Sequence, residues 1–445
     1  MKDTTKPSAS PKDAPQKDTE KTERCAREAS RLRAVFESGA TLPVEARLRV
    51  LRRLRTRLRE RKEELLSALR ADLGKSRCEG YMTEIAPVLS EISFFLHKLP
   101  RLAAKKRVRA SLSQFPATCF TQPSPYGVAL IMSPWNYPLQ LSLCPLVDCI
   151  AAGNCALVKP SAYAPATGEA IASLLSSLGE ECIGTVLGGR EENKELLRQK
   201  YDLIFFTGSV PTGRIVAEAA AKTLTPVVLE LGGKSPCIVD ADADISLAAK
   251  RICFGKFLNA GQTCVAPDYI LAHAHIKDAL VEAIEQTARG MFGDALRNES
   301  YPHIVNKKHF DRVRALIDPE KTVFGPLRRR LLRRPRDERG DLRARPARSD
   351  LSELRRGQRG DRAQPRAARA LLFRQKERGA RPRRDLLRRR VRQRHRPAPR
   401  HPSHGLRRHR HERHGRLPRR ARVLRLFARQ EHPQKGQDGQ LPALC

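Results

Sequence analysis

The middle of the chain alternates short apolar runs with turn residues and helical segments, and this rhythm constrains the fold more than any other feature. Three apolar runs, 128–132 (VALIM), 155–158 (CALV) and 203–206 (LIFF), each precede a loop of small or polar residues. Strand, loop and helix repeated in this order predict βαβ units and a parallel sheet. Residues 226–231 and 269–274 are predicted to form further strands.

Two helical segments precede these strands. From Pro43 to Leu73, leucines recur at a spacing of three to four residues, with Arg and Glu between them. This spacing predicts an amphipathic helix with one apolar and one charged face. Residues 82–99 carry a second apolar stripe and predict another helix. No apolar run approaches the length of about 20 residues that a membrane-spanning helix needs.

Cysteine usage and the N-terminal segment bear on the cellular compartment. Several of the 11 cysteines stand in apolar runs (Cys144, Cys149, Cys155 and Cys237), which predicts buried free thiols in a reducing cytosol. The cysteines form no CxxC pair and no Cys/His metal spacing, so no metal site is predicted. Residues 1–24 are polar and lack the apolar segment of a signal peptide, which predicts a disordered leader. We therefore expect a cytoplasmic protein.

Positive charge is concentrated at the end of the chain. Of a net charge of +38, residues 327–445 contribute 40 Lys and Arg against 11 Asp and Glu, and 38 of those 40 are Arg. These arginines follow neither a helical nor a strand period. Charge alone favours nucleic-acid binding. A basic arm of that kind usually mixes Lys with Arg and adds Gly, Ser or aromatic residues, which this tail does not.

Three segments carry residues suited to covalent catalysis. Cys264 ends the loop KFLNAGQTC, where Gly261 permits close approach of a carbonyl group to a thiolate. Glu230 lies in an apolar strand before two glycines, and desolvation there is expected to raise its pKa toward that of a general base. Asn136, beside Trp135, can donate an amide hydrogen bond to an oxyanion. Taken singly, each has an ordinary alternative: a buried thiol, a carboxylate paired with Lys, and an Asn that forms a turn.

A second group of residues suits a dinucleotide. Lys159 and Ser161 follow one predicted strand, and Gly208 and Ser209 follow another. Gly208 and Gly213 have GxxxxG spacing at the start of a helix, where backbone N–H groups suit a pyrophosphate. The spacing is not the GxGxxG fingerprint, so the glycine pair by itself is weak evidence.

In this order and at these intervals, PWNYP, KPS, FTGS, LELGGKSP and GQTC resemble the NAD(P)-dependent aldehyde dehydrogenases, and GQTCVAPDYI resembles their class 3 members. The resemblance covers about residues 27–325. It implies an α/β fold with a Rossmann-type parallel-sheet cofactor domain over 25–228 and a catalytic domain over 229–326 that is incomplete. It also implies oxidation of an aldehyde to a carboxylic acid with NAD or NADP, by a homodimer that needs no membrane.

The resemblance also implies roles for single residues. Cys264 matches the nucleophile, Glu230 the general base and Asn136 the oxyanion donor. Lys159 matches the residue that binds the adenine ribose, and the rest of the implied cofactor site consists of Trp135, Ser161, Gly208, Ser209 and Gly213. The family often carries Glu directly after KPS, where this chain has Ala162. Because that Glu can repel a 2′-phosphate, its replacement leaves NADP open beside NAD.

The tail over 327–445 departs from the family as written, and its Arg content suggests why. Codons allowed for Glu412 to Arg420, read one base later, give Ser-Gly-Met-Gly-Ala-Tyr-His-Gly, which resembles a C-terminal motif of the family. The same shift over 339–347 and 426–436 permits two further family patterns. We therefore expect a misread frame that begins between Gly325 and about Pro335. The chain as written is then expected to be unstable or inactive.

Two other functions stay open at this point. The tail by itself favours a nucleic-acid-binding protein, although we expect no specific nucleic-acid partner if the frame is shifted. A non-catalytic relative that serves as a partner subunit is the other alternative. The presence of Cys264, Glu230 and Asn136 together argues against that loss of catalysis.

Overall fold

The computed structural model describes residues 13–109, 118–293, 297–322 and 371–373. The first twelve residues of the predicted leader lie outside this part of the chain. The prediction of disorder is wrong for residues 13–24, because helix α1 begins at Asp13 and continues to Glu37. This segment is rich in Ala, Gln, Lys and Glu, which favour helices. Further along α1, Cys25 and Leu32 are buried in the core.

The longer helices lie before the strands or between them. Their bounds are α1 Asp13–Glu37, α2 Val44–Glu60, α3 Lys62–Leu73, α4 Arg77–Gly80, α5 Ala86–Ala103, α6 Gln140–Ala152, α7 Pro165–Ser176, α8 Arg190–Arg198, α9 Val210–Ala221, α10 Ile245–Phe257, α11 Lys277–Phe292 and α12 Lys307–Arg314. A π-helical turn, Tyr81–Ile85, joins α4 to α5. Short 3₁₀ turns are Leu258–Gly261, Ala274–Ile276 and Pro319–Lys321. Among the described helices, none combines the length and the apolar character that crossing a membrane requires.

The prediction of one helix from Pro43 to Leu73 is wrong, because two helices cover this segment. Arg61, at φ −97° and ψ 19°, separates α2 from α3. The leucine spacing could not reveal this break, since the apolar stripe continues on both sides and packs into one core. The helix predicted over 82–99 is confirmed as α5, with the π turn before it.

The strands form three sheets. Their bounds are β1 Lys106–Val108, β2 Cys119–Thr121, β3 Val128–Met132, β4 Cys155–Lys159, β5 Ile183–Thr185, β6 Leu203–Gly208, β7 Val227–Leu231, β8 Ser235–Val239, β9 Pro267–Ala272 and β10 Leu371–Phe373. The main sheet has the order β5-β4-β3-β6-β7 with every neighbouring pair parallel, which confirms the predicted parallel sheet. Every residue of β3 and β4 is buried, as expected where helices cover both faces.

The predicted domain boundary between residues 228 and 229 falls inside β7, which pairs with β6 from Ile204 opposite Val227 to Gly208 opposite Leu231. Backbone hydrogen bonds therefore keep the whole of β7, including Glu230, in the main sheet. The second sheet begins with β8, which the sequence reading missed.

The second sheet has the order β10-β8-β9, with both pairs parallel. Its strand β10, Leu371–Phe373, belongs to the Arg-rich tail, where no regular period was found. The rest of the tail, 327–370 and 374–445, lies outside the described residues. A small core, which includes Cys237, Ile252 and Leu280, lies where α10 and α11 pack beside β8 and β9.

Gly127, at the start of β3, gives a test of the main sheet. Its φ is +138°, and a Cβ added there would lie 2.0 Å from Oδ2 of Asp202. That carboxylate cannot move freely, because it accepts a hydrogen bond of 2.7 Å from Val128 N and forms an ion pair with Arg33. We expect Gly127→Ala to lower the free energy of unfolding by about 3 kcal/mol, from backbone strain and overpacking together.

Gly179 is the matched control for this substitution. Its φ is +61°, but nothing lies within 4 Å of an added Cβ, so Gly179→Ala meets backbone strain alone. We expect a cost of about 1 kcal/mol in denaturant unfolding. Equal costs at the two positions would contradict the packing assigned to Gly127.

Candidate active site

Three loops that hold predicted site residues leave the same edge of the main sheet. Met132, the last residue of β3, is paired with Lys159 at the end of β4 and with Phe206 near the end of β6. The carboxyl ends of parallel strands meet at one edge, where open α/β sheets bind their ligands. The structure thus brings the segments that contain Asn136, Ser161 and Ser209 to a common edge, as the sequence predicted.

The nucleophile loop, residues 258–264, has an unusual backbone. Asn259, Ala260 and Gly261 all have positive φ, of 53°, 52° and 78°. A left-handed conformation costs roughly 1–2 kcal/mol for each residue other than glycine, so neighbouring groups must hold this turn in place. Glu79 does so at one point, because its Oε1 accepts a hydrogen bond of 2.7 Å from Asn259 N.

The oxyanion-donor loop, residues 133–139, is bonded directly to the nucleophile loop. Asn136 Nδ2 donates to Gln262 O at 2.8 Å, and Asn259 Nδ2 donates to Asn136 O at 2.7 Å. The hydroxyls of Tyr137 and Thr263 lie 2.5 Å apart. These bonds hold the Asn136 amide against Gln262, which lies two residues before Cys264 in the chain. An amide nitrogen has two N–H groups, and the second can be directed to a substrate oxygen.

Gln262 has a larger part in this arrangement than the sequence reading suggested. Its side-chain amide donates to Asn259 O at 3.0 Å and to His303 O at 3.1 Å, and its Oε1 accepts from Val305 N at 3.1 Å. The side chain thereby joins the nucleophile loop to residues 303–305 much as a strand would. The motif GQTC drew attention to the Cys, and nothing in the sequence indicated the partners of the Gln.

Glu230 lies in β7, just before a turn that approaches Cys264. The GG turn that follows it reaches the nucleophile loop, since a Cβ added to Gly233 would lie 3.5 Å from Cys264 O. The expectation of a desolvated Glu230 is wrong, because the residue is exposed. It lies near the end of β7, the edge strand of the main sheet, where the apolar residues around it in sequence do not enclose it.

The groups around Cys264 change the pKa of its thiol. The residue is exposed, yet the loop atoms packed about the sulfur still reduce hydration of a thiolate, and this desolvation raises the pKa. The negative charge of Glu230 raises the pKa further, whereas the backbone N–H groups of Cys264 and Val265 lower it by bonding to the thiolate. Deprotonation of Cys264 therefore depends on groups on both sides of the thiol.

The cofactor side of the site has Lys159 at its base. Lys159 is buried, and its Nζ donates to Pro160 O at 2.8 Å and to Gly188 O at 2.7 Å. Burial lowers the pKa of Lys159 to about 8, although Glu192 opposes this shift. Two backbone carbonyls thus hold the ammonium in place and leave one of its three N–H donors for a ligand hydroxyl.

The glycines and serines near α9 have separate parts. Ser209 caps the helix, since its Oγ accepts from Thr212 N at 3.4 Å. Gly213 is correctly placed near the helix start but donates its own N–H to Ser209 O at 2.9 Å, so it is not a phosphate donor. A Cβ at Gly213 would lie 2.7 Å from Leu231 Cδ2, which makes close helix–strand packing the reason for glycine there.

Trp135 and Ser161 lie in the loops that follow β3 and β4. Ser161 Oγ accepts a hydrogen bond of 3.2 Å from Tyr163 N. The rings of Trp135 and Tyr163 both contact His309 of α12, at centroid distances of 4.8 and 5.4 Å. Sequence reasoning missed His309, which has no signal beyond a lone His on a charged helix. Among the described residues, no group of three or more His, Cys, Asp or Glu could hold a metal ion.

Comparison with known proteins gives this arrangement a family. The model of the aldehyde dehydrogenase family matches residues 3–323, so the chain belongs to that family. The match ends close to Pro326, after which the strand and helix pattern of the sequence stops. The main sheet, the two bonded loops and Cys264 all lie within the matched segment.

Individual relatives agree with this assignment. "Aldehyde dehydrogenase family 3 member A2" of Rattus norvegicus is 45% identical over 301 residues, which are 67% of this chain and 62% of the relative. "Aldehyde dehydrogenase, dimeric NADP-preferring" of Canis lupus familiaris is 40% identical over 297 residues, or 66% of each. The solved substrate-bound state of Staphylococcus aureus AldH matches with a TM-score of 0.64 and 41% identity, and covers 65% of this chain and 64% of the other. The chain thus spans about three fifths of the length of the first of these relatives.

The effect of Glu230 on Cys264 can be tested without turnover. Glu230→Gln removes a negative charge that raises the pKa of Cys264, so more thiolate should be present at pH 8. We expect iodoacetamide to alkylate Cys264 about two- to fivefold faster, the range expected for one exposed charge. Peptide mass spectrometry at several pH values measures this rate.

The matched control is Glu218→Gln on the exposed side of α9, which should leave the alkylation rate of Cys264 unchanged. A Glu230→Gln rate at or below that of the unmodified chain would contradict the charge interaction between the two residues.

Proposed function

We propose that this site oxidises an aldehyde to a carboxylic acid, with NAD or NADP as the hydride acceptor. The observation that carries the proposal is the direct bonding of the Asn136 amide to the loop that ends at Cys264. This bond supports a role for Asn136 as oxyanion donor to the nucleophile Cys264, and the charge of Glu230 acts on the same thiol by raising its pKa. A nucleophile and an oxyanion donor are the two groups that a tetrahedral adduct requires.

In the first step, the Cys264 thiolate forms a bond to the carbonyl carbon and the carbonyl π electrons move to oxygen. The second Asn136 N–H and a backbone N–H of the nucleophile loop stabilise the resulting oxyanion. Removal of one such donor typically costs about 10²–10³ in rate. The backbone N–H groups of Cys264 and Val265, which lower the pKa of the thiol, favour the thiolate that this step consumes.

The oxyanion then re-forms the carbonyl as hydride departs, and a thioester remains on Cys264. NAD(P)+ supplies the acceptor for that hydride when it is bound. Glu230 takes a proton from water as the water attacks the thioester. The C–S bond then breaks to release the carboxylic acid, and the proton on Glu230 passes to the departing thiolate, which restores the Cys264 thiol. Exposure of Glu230 supports this second part, because water can reach the carboxylate.

The residues at the sheet edge fit a dinucleotide. Lys159 holds an ammonium donor beside the ends of β4 and β3, where it would bond the adenine ribose. The 12-residue helix α9 begins with the exposed residues Ser209 and Val210, and a helix N-terminus favours a pyrophosphate. Gly208 cannot carry a side chain, because its Cβ would lie 2.5 Å from the Phe206 ring. Trp135 and Ser161 would complete the cofactor site.

The remaining parts of the proposal concern substrate, assembly and compartment. The substrate class is a small-molecule aldehyde of medium chain length, aliphatic or aromatic. The dog relative is named dimeric, which supports a homodimer for this chain. The cysteines of the described residues are free thiols, which supports a reducing, cytoplasmic setting.

We also propose that residues after about Pro326 are read in a shifted frame, so that the chain with this tail does not oxidise aldehydes. The family match ends at residue 323, just before this point. The shifted-frame chain is then expected to oxidise aldehydes, and sequencing the locus decides the frame. If the shifted frame does not encode the three family patterns, the Arg-rich tail is a real feature and nucleic-acid binding becomes the function to test.

The role of Cys264 can be tested on the shifted-frame chain. Cys264→Ser should abolish aldehyde-dependent NAD(P)H formation, by more than about 10³-fold, because a hydroxyl is a far weaker nucleophile than a thiolate. Cys78→Ser, at the other exposed cysteine of the described residues, is the matched control and should retain activity. Substantial turnover by Cys264→Ser with a normal unfolding curve would contradict the mechanism.

Cofactor preference is expected to be relaxed. Ala162 stands where an acidic side chain would repel the 2′-phosphate of NADP, and the dog relative is named NADP-preferring. We expect kcat/KM values for NAD and NADP within about tenfold, which corresponds to roughly 1.4 kcal/mol. Ala162→Glu should shift the ratio toward NAD. A strong NAD bias in the unmodified chain would show that other residues set the preference.

A further inference from the structure

A fully buried ion pair lies beneath the two bonded loops of the site. Lys75, just after α3, and Glu84, in the π turn before α5, are both 0% exposed, with Nζ and Oε1 2.5 Å apart. Burial lowers the pKa of Lys75 and raises the pKa of Glu84, and their mutual attraction opposes both shifts. Such a pair is costly to bury and gives little net stability compared with apolar residues of the same volume. Its presence therefore calls for a reason other than stability.

Among the described residues, the other side-chain hydrogen bonds of the pair are all with the oxyanion-donor loop and the first residue of α6. Lys75 Nζ donates to Asn136 O at 3.2 Å and lies 4.1 Å above the centroid of the Tyr137 ring. Glu84 Oε2 accepts from Leu139 N at 3.1 Å and from Gln140 N at 2.9 Å. The latter two N–H groups belong to the start of α6, where helical backbone donors otherwise lack partners. The pair thus holds this loop at its middle and at its end.

The same loop orients the catalytic groups. Asn136 and Tyr137, which the Lys75 ammonium contacts, are the residues that bond Gln262 and Thr263 directly before Cys264. A shift of the loop would therefore move the Asn136 amide relative to the sulfur. Apolar side chains of equal volume could fill the space of the pair but could not bond Asn136 O or the two N–H groups.

We propose that Lys75 and Glu84 are positioning residues that hold the Asn136 amide toward the oxyanion formed at Cys264. The proposal rests on the proposed function, in which Asn136 is the oxyanion donor. Neither residue touches the substrate in this account. Both act through the backbone of residues 136–140, so their loss should weaken oxyanion stabilisation and leave the reactivity of the thiol itself in place.

Two reactions of Cys264 separate these effects in the chain as it exists. Acetylation by p-nitrophenyl acetate passes through an oxyanion, whereas alkylation by iodoacetamide does not. Both need the same thiolate and the same access, so the ratio of acetylation to alkylation rate reports the oxyanion donor alone. Peptide mass spectrometry gives both rates at Cys264, with Cys119, which lies in β2, as an internal reference.

The main variant is Lys75→Met/Glu84→Leu, which removes both charges and leaves no single buried ion. We expect its rate ratio at Cys264 to fall about 10²-fold, toward the value of Asn136→Ala, since one oxyanion donor is lost. Glu84→Gln keeps one carbonyl acceptor for the N–H groups of Leu139 and Gln140, so the rate ratio of this variant should fall by less. If the double variant does not fold, Glu84→Gln carries the test, because a native fold with an unchanged ratio would overturn the proposal.

Two controls exclude a general loss of structure. Arg77→Met/Glu63→Leu removes an exposed pair, with Nη2 and Oε1 2.8 Å apart, close to Lys75 in sequence and should leave the ratio unchanged. Gly127→Ala destabilises the fold at a position away from the Lys75–Glu84 pair. The folded fraction of this variant should also show an unchanged ratio of acetylation to alkylation rate. All rates are measured below each variant's unfolding transition.

The outcomes are distinct. A native double variant with an unchanged ratio would overturn the positioning role while Asn136→Ala still lowers the ratio. An Asn136→Ala chain with an unchanged ratio would instead overturn the oxyanion role in the proposed function, and the positioning role with it. A lower ratio in the double variant and in Asn136→Ala, with unchanged ratios in the Arg77→Met/Glu63→Leu and Gly127→Ala controls, supports the proposal.

Discussion

The parallel register of the main sheet is the constraint on which the rest of the site depends. Strand β3 is paired on both sides, with Met132 level with Lys159 of β4 and with Phe206 of β6. Because parallel strands end at the same edge, this register places three loops of different sequence within reach of one ligand. Continuation of the ladder into β7 brings Glu230 and its GG turn to the same end. A one-residue slip of any strand would turn its side chains to the other face and separate the loops.

The nucleophile loop shows how the fold uses polar contacts to keep a strained backbone. Three successive residues with positive φ do not persist by their own preference, and here each side of the turn is bonded. Glu79 bonds Asn259 N, and the Asn259 side chain bonds Asn136 O. The turn therefore depends on Glu79 of α4, which is 180 positions earlier in the chain, and this explains why the N-terminal helices belong to the site. They cover the sheet and also supply the buried acceptors and donors that shape it.

Periodicity and motif order predicted much of this structure, for physical reasons that can be traced. Strands β3, β4 and β6 are apolar runs bounded by turn residues, and their burial is what the pattern encodes. Strand β7 follows the same pattern, but as an edge strand it is only partly buried. Strand β8, Ser235–Val239, escaped notice because it begins with Ser-Pro directly after a glycine turn. The break at Arg61 is equally hidden, since a leucine stripe continues through it. Local sequence describes elements well and their ends poorly.

The sequence predicted which segments approach one another but not the energetics of the candidate site. Asn136 follows β3, Lys159 ends β4, and the Asn136 amide is bonded to the loop that ends at Cys264. The exposure of Glu230 was not predictable, because burial depends on which neighbours cover a strand and not on how apolar that strand is. The Lys75–Glu84 pair also leaves no sequence signal, since Lys and Glu residues are common in this region and nine residues is no helical spacing. Tertiary structure alone shows that both of its side chains are buried.

The central claim is that residues 13–322 assemble a nucleophile with an oxyanion donor around Cys264. The most direct measurement is the site of acetylation when the chain reacts with p-nitrophenyl acetate, followed by peptide mass spectrometry. Cys78 and Cys264 are both exposed, so exposure alone predicts similar labelling. The account predicts that the ratio of acetylation to iodoacetamide alkylation is at least about 10²-fold higher at Cys264 than at Cys78, the effect of one oriented oxyanion donor. Equal ratios at the two thiols in the folded chain would contradict it.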